Sequence, residues 1–173
     1  MHKVYRFVFS LTVLLLLSCT RPQTMAMPAS TVLPTPVPGE ITVLALMAPV
    51  ASAGMTNGSV YFTLQNGTVQ PVHLSAATTS VAERLSFHET IDDKGVMRMI
   101  AQPDGFVAPA GESLVLEPGR KHLMLENLRA PLVAGTEFTL TLTFTDADPL
   151  TLTVPVMDHG AEPMDHSKMY HGK

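Results

Sequence analysis

The sequence predicts an all-β domain, a Greek-key β-sandwich or closed barrel, flanked by a disordered N-terminal linker and a disordered C-terminal tail. Apolar residues alternate with threonines in the second half of the chain, which is the period of a strand with one buried face. Asn-Gly, Asp-Pro and Pro-Gly steps, typical of turns, separate such short segments. Tryptophan is absent and only 15% of the 173 residues are charged, a composition that suits short strands better than a helical bundle.

Residues 1–19 have the pattern of a bacterial secretory signal. Lys3 and Arg6 precede an apolar stretch of about eleven residues, whereas a membrane-spanning helix needs roughly 20. The stretch ends in Leu16-Leu17-Ser18-Cys19, which resembles a lipobox, so we expect Cys19 to be acylated and to anchor the chain. An uncleaved anchor helix and an ordinary signal peptide are the alternatives. Every one of these interpretations places the rest of the chain outside the cytoplasm, in the periplasm or at the cell surface.

Residues 20–39 contain five prolines among Thr, Ser and Ala and lack apolar periodicity, so we expect an extended spacer. Nine strands are then predicted in a domain over residues 40–156. The clearest two, Phe138–Phe144 and Leu150–Val156, form a hairpin around residues 146–149. Turns are also predicted at Asn57-Gly58, Asn66-Gly67, Asp93-Lys94-Gly95 and Pro118-Gly119. The seven earlier strands are Ile41–Met47, Ser59–Gln65, Val72–Thr78, Ala82–His88, Val96–Ile100, Ser113–Leu116 and His122–Asn127.

Histidines and methionines occupy the face of three strands that points away from the predicted core. If Leu123 and Leu125 enter the core, His122 and Met124 point outward together. The same alternation pairs Met97 with Met99, and His88 follows a core-facing Phe87. Thioethers are soft, neutral ligands that favour Cu(I) over Zn(II) or hard cations, and imidazole completes such a set. The joint pattern therefore predicts a Cu(I) site, although each residue alone is more often a packing or hydrogen-bonding side chain.

These segments resemble the PCu(A)C family of bacterial extracytoplasmic copper chaperones. The resemblance covers roughly residues 40–156 and is carried by residues 82–90, 95–99 and 116–125, with further similarity in residues 59–66 and 128–144. The family motif is a His, a Met after ten intervening residues, and a His-x-Met after about twenty more. Here ten residues separate His88 from Met99 and 22 separate Met99 from His122. The resemblance implies a cupredoxin-like fold, a Cu(I) site formed by His88, Met99, His122 and Met124, and delivery to the binuclear copper centre of cytochrome c oxidase.

The last 17 residues, 157–173, repeat Met and His without a strand or helix pattern. Such tracts bind metals by composition, so we expect a second, weaker copper site there, with Met97 as a further possible ligand in the domain. Imidazoles and carboxylates suit Cu(II), and thioethers suit Cu(I). A solubilising tail or a tagging artefact is the alternative. The tail ligands would be Met157, His159, Met164, His166, Met169 and His171.

Other function classes find less support. The net charge of −4 argues against a nucleic-acid partner. An electron-transfer cupredoxin needs a cysteine thiolate, and the sole cysteine, Cys19, lies in the signal region. No hydrolase motif is present, so we expect no enzyme. The leading hypothesis is a monomeric copper chaperone whose partners are an oxidase copper-centre subunit and a second copper chaperone. Copper sequestration without an acceptor and an adhesive β-sandwich remain as alternatives.

Overall fold

The computed structural model of the chain describes residues 34–158 and the strand at residues 170–172. No α-helix occurs in these ranges, and none of their residues form a helix that is long and apolar enough to cross a membrane. The strands are β1 (Ile41–Pro49), β2 (Asn57–Asn66), β3 (Val72–Thr79), β4 (Ala82–Asp93), β5 (Val96–Ala101), β6 (Phe106–Ala108), β7 (Ser113–Leu116), β8 (Lys121–Leu128), β9 (Glu137–Phe144), β10 (Leu150–Met157) and β11 (Tyr170–Gly172).

These strands join into one open sheet in the order β5-β4-β8-β2-β1-β10-β9-β3-β6, with β7 paired to β2 and β11 to β1. All pairs are antiparallel except β1 with β10, which run parallel where Ala48 lies opposite Val156. The sheet folds over its own core, since Phe87 of β4 contacts Phe106 of β6 edge-on at 5.5 Å between ring centroids. The all-β prediction is confirmed, and all nine predicted strands are present.

The alternation of apolar residues sets which face of each strand is buried. Leu123 and Leu125 of β8 have no exposed surface, and neither do Leu140 and Leu142 of β9. The predicted hairpin of β9 and β10 is present, with Leu142 opposite Leu150. A core made from one face of each strand leaves the other face free for chemistry, and on β8 that face carries His122 and Met124.

A two-residue turn fixes the register of β4 against β5. Lys94 and Gly95 both have positive φ, at 57° and 85°, as a type I′ turn requires. Asp93 therefore pairs with Val96, and Thr90 with Met99. A slip of one residue would move Met99 to the opposite face. This turn therefore determines that Met99 lies on the same face of the sheet as His88 of β4.

The prediction of a turn at Asn57-Gly58 is wrong. Both residues belong to β2 and pair with β8, and the turn lies at Ala53-Gly54. Gly58 packs closely, because a Cβ there would lie 3.3 Å from a methyl group of Leu132 and 3.4 Å from a methyl group of Leu125. The predicted turns at residues 93–95 and 118–119 are confirmed.

Asn66, predicted as a turn residue, is a fully buried hydrogen-bonding centre at the end of β2. Its Nδ2 donates to the carbonyls of Gln70, Ala108 and Pro109 at 2.8 to 3.0 Å. Its Oδ1 accepts from the backbone N–H of Thr68 at 3.0 Å and from the Thr68 hydroxyl at 2.7 Å. The side chain thereby joins β2 to β6, a short strand that the sequence pattern did not predict.

The predicted signal, most of the spacer and most of the tail lie outside the described residues. Within the predicted spacer, residues 34–39 carry a turn at Pro38-Gly39. Within the predicted tail, Met157 ends β10, and the backbone of Tyr170–Gly172 pairs with Ile41–Val43 of β1. The expectation of a tail without strand structure is therefore wrong for these residues.

Candidate metal centre

Cross-strand register brings the four predicted ligands to one face of the sheet. On β8, His122 and Met124 alternate with the core leucines. On β4, His88 lies directly opposite His122, and paired residues of antiparallel strands point to the same side. Met99 on β5 lies two residues from Ala101, the partner of His88 on that side, so its side chain projects from the same face.

The two histidine rings stack. Their centroids are 5.8 Å apart and their planes differ by 23°. The ring of Tyr61 covers His122 from β2, at 6.5 Å between centroids. His122 is consequently only 4% exposed. The prediction that His122 points away from the core is right in direction, but the side chain is buried beneath neighbours on its own face.

One hydrogen bond determines the tautomer of His122. Its Nδ1 lies 2.9 Å from the carbonyl oxygen of Arg120. A carbonyl can only accept, so Nδ1 carries the proton and donates. The lone pair of the neutral ring is then on Nε2, and this arrangement fixes a histidine for metal binding.

His88 is held in the opposite tautomer. Ser86 Oγ donates to the Glu126 carboxylate, so the same oxygen accepts from His88 Nε2, at 2.8 Å. The lone pair of His88 is therefore on Nδ1. That atom is buried and has no hydrogen-bond partner among the described residues. An orphaned buried acceptor is costly, and a soft metal ion is a fitting partner for it.

The hydrogen-bonded series Arg84, Glu126 and Ser86 keeps His88 oriented. Arg84 Nε donates to Glu126 at 3.0 Å. The hydrogen bonds from Arg84 and Ser86 lower the pKa of Glu126, so that it is an ionised acceptor at neutral pH. Burial, and then the charge of His122, lower the pKa of His88, against an opposing effect of Glu126. The imidazole is therefore neutral and its lone pair is available to a metal.

Two adjoining cavities meet at Met124. The first, of about 200 Å³, is lined by Met99, His122 and Met124 together with Met55 and Tyr61. The second is lined by His88, Met124 and the Ser86–Glu126 pair. Met99 is 55% exposed, whereas the two imidazoles lie deeper. The thioether of Met99 is thus the most exposed of the proposed donors, and Met124 is the one that borders both cavities.

Other candidate residues are placed differently. Met97 shares the face of Met99 but lines a separate depression beside Asp92, so it is not brought to the imidazoles. Glu89, next to His88, forms an ion pair with Lys121 at 2.7 Å. His73 has partners for both ring nitrogens, the Asp104 carbonyl and the Thr145 hydroxyl. No group of three or more His, Cys, Asp or Glu side chains suited to a metal occurs among the described residues.

Of the predicted tail ligands, only Met157 lies within residues 34–158. It pairs with Pro49, which lines the first cavity, so Met157 itself lies close to that cavity. His171 lies on β11, opposite Thr42 at the far end of β1. Cys19, His159, Met164, His166 and Met169 lie outside the described residues.

Comparisons with known proteins agree with this fold. Residues 30–156 match the model of a family described as "Putative lipoprotein LpqE-like". A relative described as "Putative lipoprotein Lxx21020", from Leifsonia xyli subsp. xyli, is 33% identical over 158 residues, which are 91% of this chain and 94% of the relative.

Two solved structures are similar. The copper-bound PCuAC domain from PmoF2 has a TM-score of 0.60 at 18% identity and matches 73% of this chain and 99% of its own. Cu(I)-bound DR1885 from Deinococcus radiodurans has a TM-score of 0.51 at 27% identity and matches 75% of this chain and 83% of its own. The predicted cupredoxin-like fold is thus confirmed.

Proposed function

The chain belongs to the LpqE-like lipoprotein family, and from that premise we propose that it is an extracytoplasmic, lipid-anchored chaperone that carries Cu(I). The ion is held by His88, Met99, His122 and Met124. Cys19 is the site of lipidation. The protein binds Cu(I) and transfers it to a partner, and it catalyses no reaction.

The observation that carries this proposal is the buried Nδ1 of His88, which has no hydrogen-bond partner among the described residues. Its ring stacks on His122, whose Nδ1 is occupied by the Arg120 carbonyl. Each histidine is thus fixed through one nitrogen while the other keeps its lone pair. Metal-binding histidines typically have the ring nitrogen that does not bind the metal hydrogen-bonded to a neighbouring group in this way.

The chemistry of the donors favours Cu(I) in particular. Two neutral imidazoles and two thioethers add no charge to the ion, and thioethers are soft ligands that suit Cu(I). These donors also resist the disulfide formation that removes thiols in an oxidising compartment. The similarity to Cu(I)-bound DR1885 from Deinococcus radiodurans, at 27% identity, supports the same cargo.

The exposure of the Met99 side chain favours transfer of Cu(I) to a partner over storage of the ion. Met99 is 55% exposed on β5, a strand at the end of the sheet whose six residues are all exposed. An incoming donor atom from an acceptor protein can therefore replace the Met99 thioether while the imidazoles still hold the ion. We propose an oxidase copper-centre subunit as the acceptor and a second copper chaperone as the source.

The tail provides a second copper site of different character. His159, His166 and His171 supply imidazoles for Cu(II), and Met157, Met164 and Met169 supply thioethers for Cu(I). Replacing the three tail histidines by alanine in the full chain, with β10 left intact, should lower the Cu(II) stoichiometry. Unchanged stoichiometry would remove the tail from the proposal.

The core site is tested by anaerobic Cu(I) titration of the full chain against a competing chelator. Met99→Ala and His122→Ala should each weaken binding, while Met97→Ala, an exposed methionine of the same strand outside the cavity, should not. If neither ligand substitution weakens binding, the proposed site is wrong.

A transfer assay distinguishes a chaperone from a copper store. A chaperone should pass Cu(I) to an apo oxidase copper domain, whereas a store would retain its ion.

A further inference from the structure

Met55 lies at the same cavity as the proposed ligands, although neither strand alternation nor the family motif includes it. It belongs to the loop between β1 and β2 and lines the cavity with Met99, His122 and Met124. Its side chain is 55% exposed, as much as that of Met99. A buried methionine is commonly a packing residue, but one exposed to this degree contributes little to a core.

The loop around Met55 is anchored on both sides. Ala51 and Leu132 exchange two backbone hydrogen bonds of 3.0 Å, and the Thr56 carbonyl accepts from Leu128 N at 2.8 Å. Met55 N donates to the Ser52 carbonyl at 3.1 Å within the turn. These hydrogen bonds hold the loop backbone beside the cavity that the Met55 side chain lines.

We infer that Met55 is an additional Cu(I) ligand, which exchanges with the other donors for the bound ion and meets the ion first on entry and last on release. This inference rests on the proposed function. A Cu–S bond to Met55 forms as a bond to one of the other donors breaks. The copper remains Cu(I), and no proton is transferred because the thioether is neutral. Soft thioether donors suit such an exchange, since they bind Cu(I) without adding charge.

Three thioethers bordering one cavity give the ion a stepwise path. Met55 and Met99 are both exposed, whereas Met124 is half-buried and borders both cavities. An ion that first contacts the two exposed sulfurs can pass to Met124 and then to the stacked imidazoles. Release follows the reverse order, and a partner's ligand meets the ion at the exposed sulfurs.

The test is methionine-methyl NMR of the full chain, labelled with ¹³C at the methionine methyl groups and titrated anaerobically with Cu(I). Signals are assigned with single Met→Leu variants. The Met55 methyl signal should shift together with those of Met99 and Met124. The Met97 signal should not, because Met97 is 60% exposed but lies outside this cavity. A Met55 signal that stays in place while those of Met99 and Met124 move overturns this inference alone. If none of the three moves, the proposed function fails as well.

A kinetic measurement provides a second criterion. Met55→Leu keeps the size of the side chain and removes its sulfur, and it should slow Cu(I) transfer to a chelator several-fold. Met97→Leu, the matched control, should transfer at the wild-type rate. A wild-type transfer rate in Met55→Leu would overturn the role in entry and release.

Discussion

Ser86→Ala tests whether the hydrogen bond behind His88 is needed for copper binding. Ser86 Oγ accepts from His88 Nε2 at 2.8 Å and donates to Glu126. Without the hydroxyl, a half-buried N–H loses its acceptor, and the ring is no longer held with its lone pair on Nδ1. When this hydrogen bond no longer stabilises the copper-binding tautomer, by about 1.4 kcal/mol, the Cu(I) affinity should fall roughly tenfold.

Two measurements follow this perturbation. Chelator competition gives the Cu(I) affinity, and ¹⁵N spectra of the apo protein report the tautomer of His88. Wild-type His88 should carry its proton on Nε2, and Ser86→Ala should show a mixture of tautomers. Ser75→Ala is the matched control, because Ser75 also lines the second cavity but its Oγ donates to the Thr143 carbonyl, at 3.2 Å, rather than to a histidine. Wild-type affinity and an unchanged tautomer in Ser86→Ala would refute the role of the hydrogen bond.

Three further changes have defined outcomes. Asn66→Asp should lower the free energy of unfolding by at least about 3 kcal/mol, because a buried carboxylate cannot donate to the three carbonyls that Asn66 binds. Gly95→Ala should cost about 1 kcal/mol, since φ is 85° but a Cβ would meet no atom within 4 Å. Apo stability should fall with acidification. In the unfolded chain the pKa of His88 is about 6.5, and in the folded protein it is lower. The stability that the neutral imidazole contributes is therefore complete above about pH 6.5, and it is lost as the pH falls through the folded pKa.

Urea denaturation measures all three, with a control for each. Gln70→Glu alters an exposed amide in the loop after β2 and should be nearly neutral. Gly105→Ala should be worse than Gly95→Ala, because its Cβ would overlap the Leu74 carbonyl, and equal losses would contradict the packing argument. His88→Gln should flatten the acid dependence, and an unchanged dependence would mean that another group causes it.

Strand alternation was sufficient to predict which face of the sheet carries the candidate ligands. Leu123 and Leu125 are fully buried, so His122 and Met124 had to project from the other face. The exposure of His122 was not predictable, because it depends on Tyr61 and His88. Those rings reach it through pairing between strands that are distant in sequence.

The features that the sequence pattern predicted wrongly or missed also depend on pairing between distant strands or on very short elements. Asn57-Gly58 has the residues of a turn, but pairing with β8 holds it in a strand. The three-residue strand β6 is too short for a period to be recognised. Ser86, Glu126 and Met55 carry no signal in the sequence, because their relation to the histidines exists only after β2, β4 and β8 are paired.

The central claim is that imidazoles and thioethers of this one face hold Cu(I), and X-ray absorption tests it most directly. The full chain in detergent, loaded anaerobically with one equivalent of Cu(I), should show nitrogen and sulfur neighbours around the copper. In the double variant Met99→Ala/Met124→Ala, the sulfur contribution should fall and the affinity should drop. A shell of nitrogen and oxygen alone in the wild type, or an unchanged sulfur shell and affinity in the double variant, would contradict the account.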